Sequence, residues 1–399
     1  MTEATKARKR VKKPRLMISR IKLKNWRNFG EVDVPLGQRA FLIGPNASGK
    51  SNFLDAFRFL RDIAKSEGGG LQKAIADRGG ISKIRCLAAR RDTEVLIEVD
   101  LTDVCDRQPV WRYAIGFTRE SRGYRQPRLK REQVWKNDEL ILDRPDKDDK
   151  KDRPRLDQTH LEQINANQKF REVAVFFQSI DYMHLVPQLI RHPERFATTA
   201  IEEDPFGQNF LEQMLQPSLK TRVSRLEKIR KALQCTVPQF KNLTITRDKK
   251  GNAHLDVKYG HWRGIDARQT EEEFSDGTLR LIGLLWSILA SDKLLLLEEP
   301  ELSLHTAIVR KLAALMWRMQ QKNKRQIIIS THSYDLLSSG EIGAEETLLL
   351  TPHTEGTAVQ QASRNQAILA MLEAGMSVAE AALPMTEPQN IRQLSLFNG

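Results

Sequence analysis

The sequence predicts an α/β fold with an antiparallel β subdomain and a helical insertion, and three observations carry that prediction. An apolar run, RAFLIG, leads into a glycine-rich turn and then into a helix-patterned stretch from Ser51 to Ile63. Two later apolar runs, in KLLLLEEP and QIIISTHS, end in polar turns, as expected of central strands buried on both faces. About 220 residues separate Ser51 from Ser275, and within them β-rich stretches give way to helical patterning.

In chain order, LMISRIKLKNWRNFG alternates apolar and polar residues, and EVDVPLG and RAFLIG follow it as further strands. The helix that follows carries Phe53, Leu54, Phe57, Phe59, Leu60 and Ile63 on a helical repeat. TEVLIEVDL, VWRYAIGF and ELILD supply the antiparallel subdomain. Asp143 to Asp157 mixes both charges with two prolines and reads as a mobile surface loop. FREVAVFFQSI and TRVSRLEKIRKALQ are helical, the second with Val223, Leu226, Ile229 and Leu233 on one face and basic residues on the other. For that basic face a solvated surface is preferred over a nucleic-acid contact. DKKGN, Asp248 to Asn252, reads as the turn of a hairpin, and RNQAILAMLEAGMSVAEAAL gives closing helices packed at the edge.

Composition bounds the function. A chain of 399 residues, 40% hydrophobic and 29% charged, is long enough for two or three structural units around a substantial core. Cys86, Cys105 and Cys235 are too scattered for a zinc site or a disulfide framework. No signal-peptide pattern opens the chain, and the apolar stretches Leu279 to Ala290 and Leu294 to Leu297 are too short to span a bilayer. The expectation is a cytoplasmic, soluble protein with no membrane partner. A net charge of +13 favours a polyanionic partner, nucleic acid first. The run Lys6 to Arg15 has two open readings, a disordered solubilising arm or a non-specific nucleic-acid anchor.

The chemistry concentrates in four places. GPNASGKS, Gly44 to Ser51, matches the phosphate-loop pattern in full, between a strand and a helix. Its members Gly44, Pro45, Asn46, Ala47, Ser48 and Gly49, with Asn52 just beyond, are the candidate nucleotide cradle. Glycines there let backbone N–H groups converge on phosphate oxygens at a helix N-terminus. Lys50 would pair with the β- and γ-phosphates, and Ser51 would ligate magnesium. In KLLLLEEPELSLH, Glu298 would hold the magnesium-bound water and Glu299 would act as general base or water-positioner. His332, at the end of QIIISTHS, could donate a hydrogen bond to the γ-phosphate. Ser275, Asp276 and Gly277 precede an apolar helix, an N-capped start when taken alone.

Together, in this order, these elements resemble the ABC ATPase superfamily, in particular the branch of RecF, SMC-like and OLD-type ATPases. The fold this implies is a P-loop ABC ATPase head with ATP and Mg2+ as cofactors. IKLKNWRNFG with LIGPNASGKSN looks like that branch's opening, FSDGTLRL like its signature, EEPELSLH like its Walker B and D-loop, and STHS like its switch histidine. The resemblance covers about 16–66 and 270–340 and leaves the middle unmatched. It implies that Ser275, Asp276 and Gly277 act in trans, on nucleotide held by another copy, so a homodimer or higher oligomer is expected. Glu298 stands where aspartate is commoner, Asp276 where transporter-like members have glycine, and Thr306 where many relatives have proline. The first two departures fit the OLD-like branch. Gln178 and Gln188 both remain candidates for the glutamine loop.

The sequence is parsed as a basic arm (1–15), lobe I with the β subdomain (16–157), a helical insertion (158–238), lobe II (239–352), and C-terminal helices with a tail (353–399). No heptads sustain an SMC-type arm. About sixty residues follow His332, too few for an OLD-type Toprim domain. The resemblance therefore implies an ATPase subunit working with a separately encoded nuclease effector, as in bacterial anti-phage systems. The alternatives are a RecF-like repair or replication-gap factor and a nucleotide-switched binding module with little turnover. In the tail, Gln393, Leu394, Ser395, Leu396 and Phe397 resemble the bacterial sliding-clamp-binding pentapeptide, against which stands a short strand docked on the chain's own core.

Overall fold

The computed structural model describes residues 14–90, 92–105, 108–120, 126–192, 206–235, 237–260, 267–291 and 293–387. Most of the basic arm and the whole QLSLF tail lie outside the described residues.

The chain opens with the antiparallel pair β1 (Leu16–Trp26) and β2 (Phe29–Pro35), and β3 (Arg39–Ile43) then leads into α1 (Lys50–Ala64). After the short helices α2 (Leu71–Ala76) and α3 (Ile81–Ile84) come β4 (Val95–Asp103), β5 (Pro109–Arg119), β6 (Pro127–Lys136) and β7 (Glu139–Arg144). These strands, with β1 and β2, make a six-stranded antiparallel sheet in the order β2-β1-β4-β5-β6-β7.

The stretch from Asp143 to Asp157 is not the mobile loop its composition predicts. It finishes β7 and forms α4 (Lys147–Lys151) and a 3-10 turn at Arg153–Asp157. Charge pairing replaces apolar burial there. Arg144, 1% exposed, pairs with Glu132 at 3.0 Å and Asp149 at 2.9 Å, and both carboxylates are fully buried. Asp146 caps α4 in a reciprocal capping box with Asp149.

α5 (Arg171–Gln178), β8 (Asp181–Met183), α6 (Pro187–Arg191), α7 (Phe210–Leu215) and α8 (Leu219–Gln234) follow. The stretch read as a helical insertion thus also holds a strand, and β8 pairs in parallel with a central strand of the second sheet. On α8 the buried stripe is Leu226, Ile229 and Leu233, while Val223 is 56% exposed. Its apolar face is narrower than its sequence suggests, because only its second half packs on the strands that come next. Those are β9 (Phe240–Arg247) and β10 (Ala253–Tyr259), joined through the Asp248–Asn252 turn, and β11 (Ala267–Thr270) completes a three-stranded antiparallel sheet with them.

α9 (Asp276–Ala290), β12 (Leu295–Glu298), α10 (Thr306–Asn323), β13 (Ile327–Ser330) and α11 (Tyr334–Leu337) then alternate. β14 (Thr347–His353), β15 (Gly356–Gln361), α12 (Gln366–Glu373) and α13 (Val378–Ala382) finish the described chain. The second six-stranded sheet runs β15-β14-β3-β13-β12-β8, parallel except for its edge strand β15. Its side chains alternate between two cores with the period of two a strand imposes. Ala40, Leu42, Leu296, Ile328 and Leu348 face the core shared with α1 and the antiparallel sheet. Phe41, Ile43, Leu295, Leu297, Ile327, Ile329 and Leu349 face a core shared with α10, α11 and α13. A third core joins α7, α8 and α9 to the three-stranded sheet. The architecture is the α/β head with an antiparallel β subdomain that the sequence predicts.

Candidate active site

The parallel strands β3, β12 and β13 end on one edge of the sheet, where Ser330 is level with Leu42 on one side and Glu298 on the other. Open α/β sheets bind ligands beyond their carboxyl ends, so this edge is the candidate site.

The loop from Gly44 to Gly49 wraps between β3 and α1, with Ala47 at φ 62° and Gly49 at φ 97°. A Cβ on Gly44 would lie 2.6 Å from both the Leu350 carbonyl oxygen and Ser48 Oγ. A Cβ on Gly49 would strike the side chain of Asn28 at 2.2 Å. Both glycines are therefore required by the local packing. Lys50 is buried, and its Nζ donates back to the carbonyls of Gly44 at 2.9 Å and Pro45 at 3.1 Å. Burial lowers its ammonium pKa, opposed by the charges of Glu299, Glu298 and Glu301. Ser48 Oγ is buried without a partner inside the loop. An orphaned hydroxyl in a cradle of glycines, beside a lysine satisfied only by loop carbonyls, fits a phosphate chain.

Ser51, on the first turn of α1, donates its hydroxyl to Glu298 Oε1, and the Tyr182 hydroxyl on β8 donates to Glu298 Oε2. Burial raises the Tyr182 phenol well above its usual range, and the Glu298 charge adds to this, so it stays a donor. Ser51 and Glu298 together offer a hydroxyl and a carboxylate oxygen. Among the described residues no group of three or more His, Cys, Asp or Glu forms a metal cluster. Two protein oxygens suit Mg2+, which completes its octahedron with waters and phosphate oxygens.

Glu299 turns the chain out of β12 with φ 43°, its N–H donating to the Ser330 carbonyl at 3.0 Å. That turn aims its carboxylate at His332, whose Nδ1 lies 3.1 Å from Glu299 Oε1. Thr331 is wholly buried, accepts from Ser333 N–H at 3.0 Å and donates to Glu301. Burial raises the Glu301 carboxyl above its usual range, opposed by the Thr331 hydrogen bond. Glu301 thus ties the turn after β12 to the turn after β13.

The fold brings Lys50, Ser51, Glu298, Glu299 and His332 to one edge. Ser275, Asp276 and Gly277 are engaged elsewhere. Ser275 caps α9 by accepting from Thr278 N–H. Asp276 pairs with Arg191 at 2.6 Å and accepts from Gln188 Nε2 at 3.2 Å. A Cβ on Gly277 would sit 2.5 Å from the Ser303 carbonyl, so the start of α9 lies directly against the turn at Ser303. Of the two glutamine candidates, Gln188 donates to Asp276, whereas Gln178 donates to the Ala64 carbonyl at the end of α1.

Besides Glu301, two residues that sequence reading left unassigned support the site. Asn28 donates to the Ser48 carbonyl at 2.8 Å and Thr357 Oγ1 at 2.7 Å and accepts from Asn52 Nδ2 at 2.8 Å, pinning the loop from beneath. The other is Tyr182. Asn28 lies within the quoted stretch IKLKNWRNFG, but nothing in that string signals a contact with a loop some twenty residues on.

A family model described as "AAA domain, putative AbiEii toxin, Type IV TA system" matches residues 39–339. The DNA replication and repair protein RecF of Brucella abortus (strain 2308) is 44% identical over 64 residues, 16% of this chain and 15% of its own length. RecF of Brucella suis biovar 1 (strain 1330) matches to the same extent. The shared stretch is thus a small part of those relatives. Among solved structures, the SMC head domain from Thermotoga maritima is similar at a TM-score of 0.48 and 12% identity, covering 86% of this chain and 98% of that one. An SMC head bound to the C-terminal winged-helix domain of ScpA gives 0.49 and 14%, covering 86% and 96%. Matched over well more than half its length and carrying a phosphate loop, paired acids and a histidine on one sheet edge, the chain belongs to this AAA-domain family.

Proposed function

We propose that the protein hydrolyses ATP with magnesium in composite sites formed by two copies arranged head to tail. The observation that carries this reading is the meeting of Ser51 with Glu298 and of Glu299 with His332 on one sheet edge. Magnesium would supply charge neutralisation and an oriented water when bound between Ser51 and Glu298. Lys50 would leave the Gly44 and Pro45 carbonyls for phosphate oxygens. Glu299 would take the proton of the attacking water, and His332, now held at Nδ1, would donate to the γ-phosphate. Because Ser275 and Gly277 engage their own N-cap and D-loop, a second copy would present them to this site.

Complementation tests the arrangement. Lys50→Ala and Ser275→Arg should each abolish turnover. In a mixed dimer one site carries both lesions and the other none, so an equal mixture should recover about a quarter of native activity. No recovery, with both variants folded, would overturn the trans assignment.

At the level of pathway, we infer an ATPase subunit that acts on nucleic acid with a separately encoded nuclease effector in anti-phage defence. The family description, naming a toxin of a Type IV TA system, and the charge of +13 support this. Purified protein that alone degrades DNA, dependent on ATP and metal, would refute it. The local identity with RecF favours a second reading, a repair or replication-gap factor. Loss of phage protection, without sensitivity to DNA damage, on deleting the gene would separate the two.

A further inference from the structure

We propose that the groove between α8 and α10 is a docking surface for the phosphate backbone of double-stranded nucleic acid. This rests on the nucleic-acid partner inferred above, adds where and in what form it binds, and replaces the solvated face expected of α8 from sequence with a nucleic-acid contact, because α10 adds Lys322 across the groove.

The groove has a volume of about 330 Å³ and is lined by Lys220, Thr221, Ser224, Arg225, Lys228 and Lys322 over an apolar floor of Leu289 and Met319. It contains four cations, two hydroxyls and no carboxylate. Lys220, Ser224 and Lys228 fall at successive fourth positions of α8, so they share one helical face, and Thr221 and Arg225 run beside them. Lys322 supplies the opposite wall from the last turn of α10, with Arg318 one turn before it. Lys220, Lys228, Arg318 and Lys322 are all exposed. Among the described residues none of these four forms a salt bridge, whereas the neighbouring Arg230 is paired with Glu227 at 2.6 Å. The exposed cations at the groove are thus not neutralised by a carboxylate among the described residues.

The form of the ligand follows from what else lines it. Arg225 is held in place, donating to the Ala290 carbonyl at 2.7 Å and stacking 5.3 Å from the Trp286 ring centroid. Trp286 is thereby covered, and the groove offers no aromatic face on which an unpaired base could stack. Lysines spaced along a helix with hydroxyls between them match regularly spaced phosphates, a contact without sequence preference. A duplex is favoured over a single strand on this ground.

The test compares two full-length variants that lose the same charge. Lys220→Gln, Lys228→Gln and Lys322→Gln are combined in one, and Lys147→Gln, Lys150→Gln and Lys151→Gln on α4 in the other. Both keep the basic arm, so its contribution cancels. Binding of a short fluorescent DNA duplex is followed by anisotropy across a salt series, with thermal melting and ATP turnover as controls for folding. The groove variant should bind at least about tenfold more weakly, its log–log salt slope shallower by about 2.7, which is 0.9 for each of three lost phosphate contacts. The α4 variant should follow the native chain. Equal affinity and slope in both variants would overturn the proposal, as would a polyglutamate that displaces the duplex at matched charge, since that would assign the groove to an acidic protein. A native chain that fails to bind the duplex would overturn the nucleic-acid reading itself, whereas native binding that the groove substitutions leave unchanged would overturn only this site.

Discussion

Glu299 and Gly277 show how single residues can be decisive by conformation as well as by chemistry. Glu299 reaches His332 because its backbone is left-handed, at φ 43°, a conformation costly for β-branched side chains. Glu299→Gln keeps the shape and removes the base, so phosphate release should fall by about a hundredfold or more while nucleotide binding persists, as measured by fluorescent-nucleotide titration. At Gly277 an added methyl meets the backbone carbonyl of Ser303, which no rotamer change can move aside. Gly277→Ala should displace the D-loop and depress turnover with ATP affinity retained, and a normal rate would show that this close approach is dispensable. The motif residues were legible because each motif is contiguous and its chemistry local. Asn28, Tyr182 and Glu301 were not, because each acts on a neighbour supplied by tertiary structure.

Among the elements, β7 and α4 show where composition misleads. Asp143 to Asp157 contains almost nothing apolar, so a reading based on hydrophobic burial predicts a loop. The segment is ordered by Arg144 between Glu132 and Asp149, a pairing whose geometry has no periodic signature. Removing one member of a buried ionic cluster strands the others, so Arg144→Met should lower stability by about 3–5 kcal/mol in chemical denaturation, with partial rescue by Glu132→Gln. The same cluster sets a pH dependence. Burial, and then the charge of Arg144, lower the neighbouring His160 to about 4. The unfolded histidine titrates near 6.5, so between the two values the unfolded chain binds the extra proton. This contribution is present in full above about pH 6.5 and is lost as the pH falls towards 4. His160→Asn should flatten that acid limb in melting curves taken across the range. The short strand β8 was invisible for a different reason, since three residues are too few to show a period.

For the whole molecule, the architecture follows from one sheet whose alternate residues face different cores. The runs RAFLI, LLLLE and IIIS were legible as buried strands because both faces demand apolar residues. Their order in the sheet was not, because it is set by crossovers that leave no local trace. With the acids fixed on this edge and Ser275 to Gly277 engaged away from it, the proposed composite site predicts an active dimer that nucleotide stabilises. The mass of Glu299→Gln measured by light scattering should double on adding magnesium-ATP, and a mass that stays monomeric under saturating nucleotide would contradict the composite site. The hairpin between β9 and β10 stands apart from this machinery. Its turn is exposed, and Asp248 satisfies the backbone N–H groups of Lys250 and Asn252 from within. An inserted epitope or fluorophore tag should therefore be tolerated at Lys249 and Lys250, giving a reporter handle on the β9–β10 hairpin that leaves the sheet edge carrying Lys50 and Glu298 untouched.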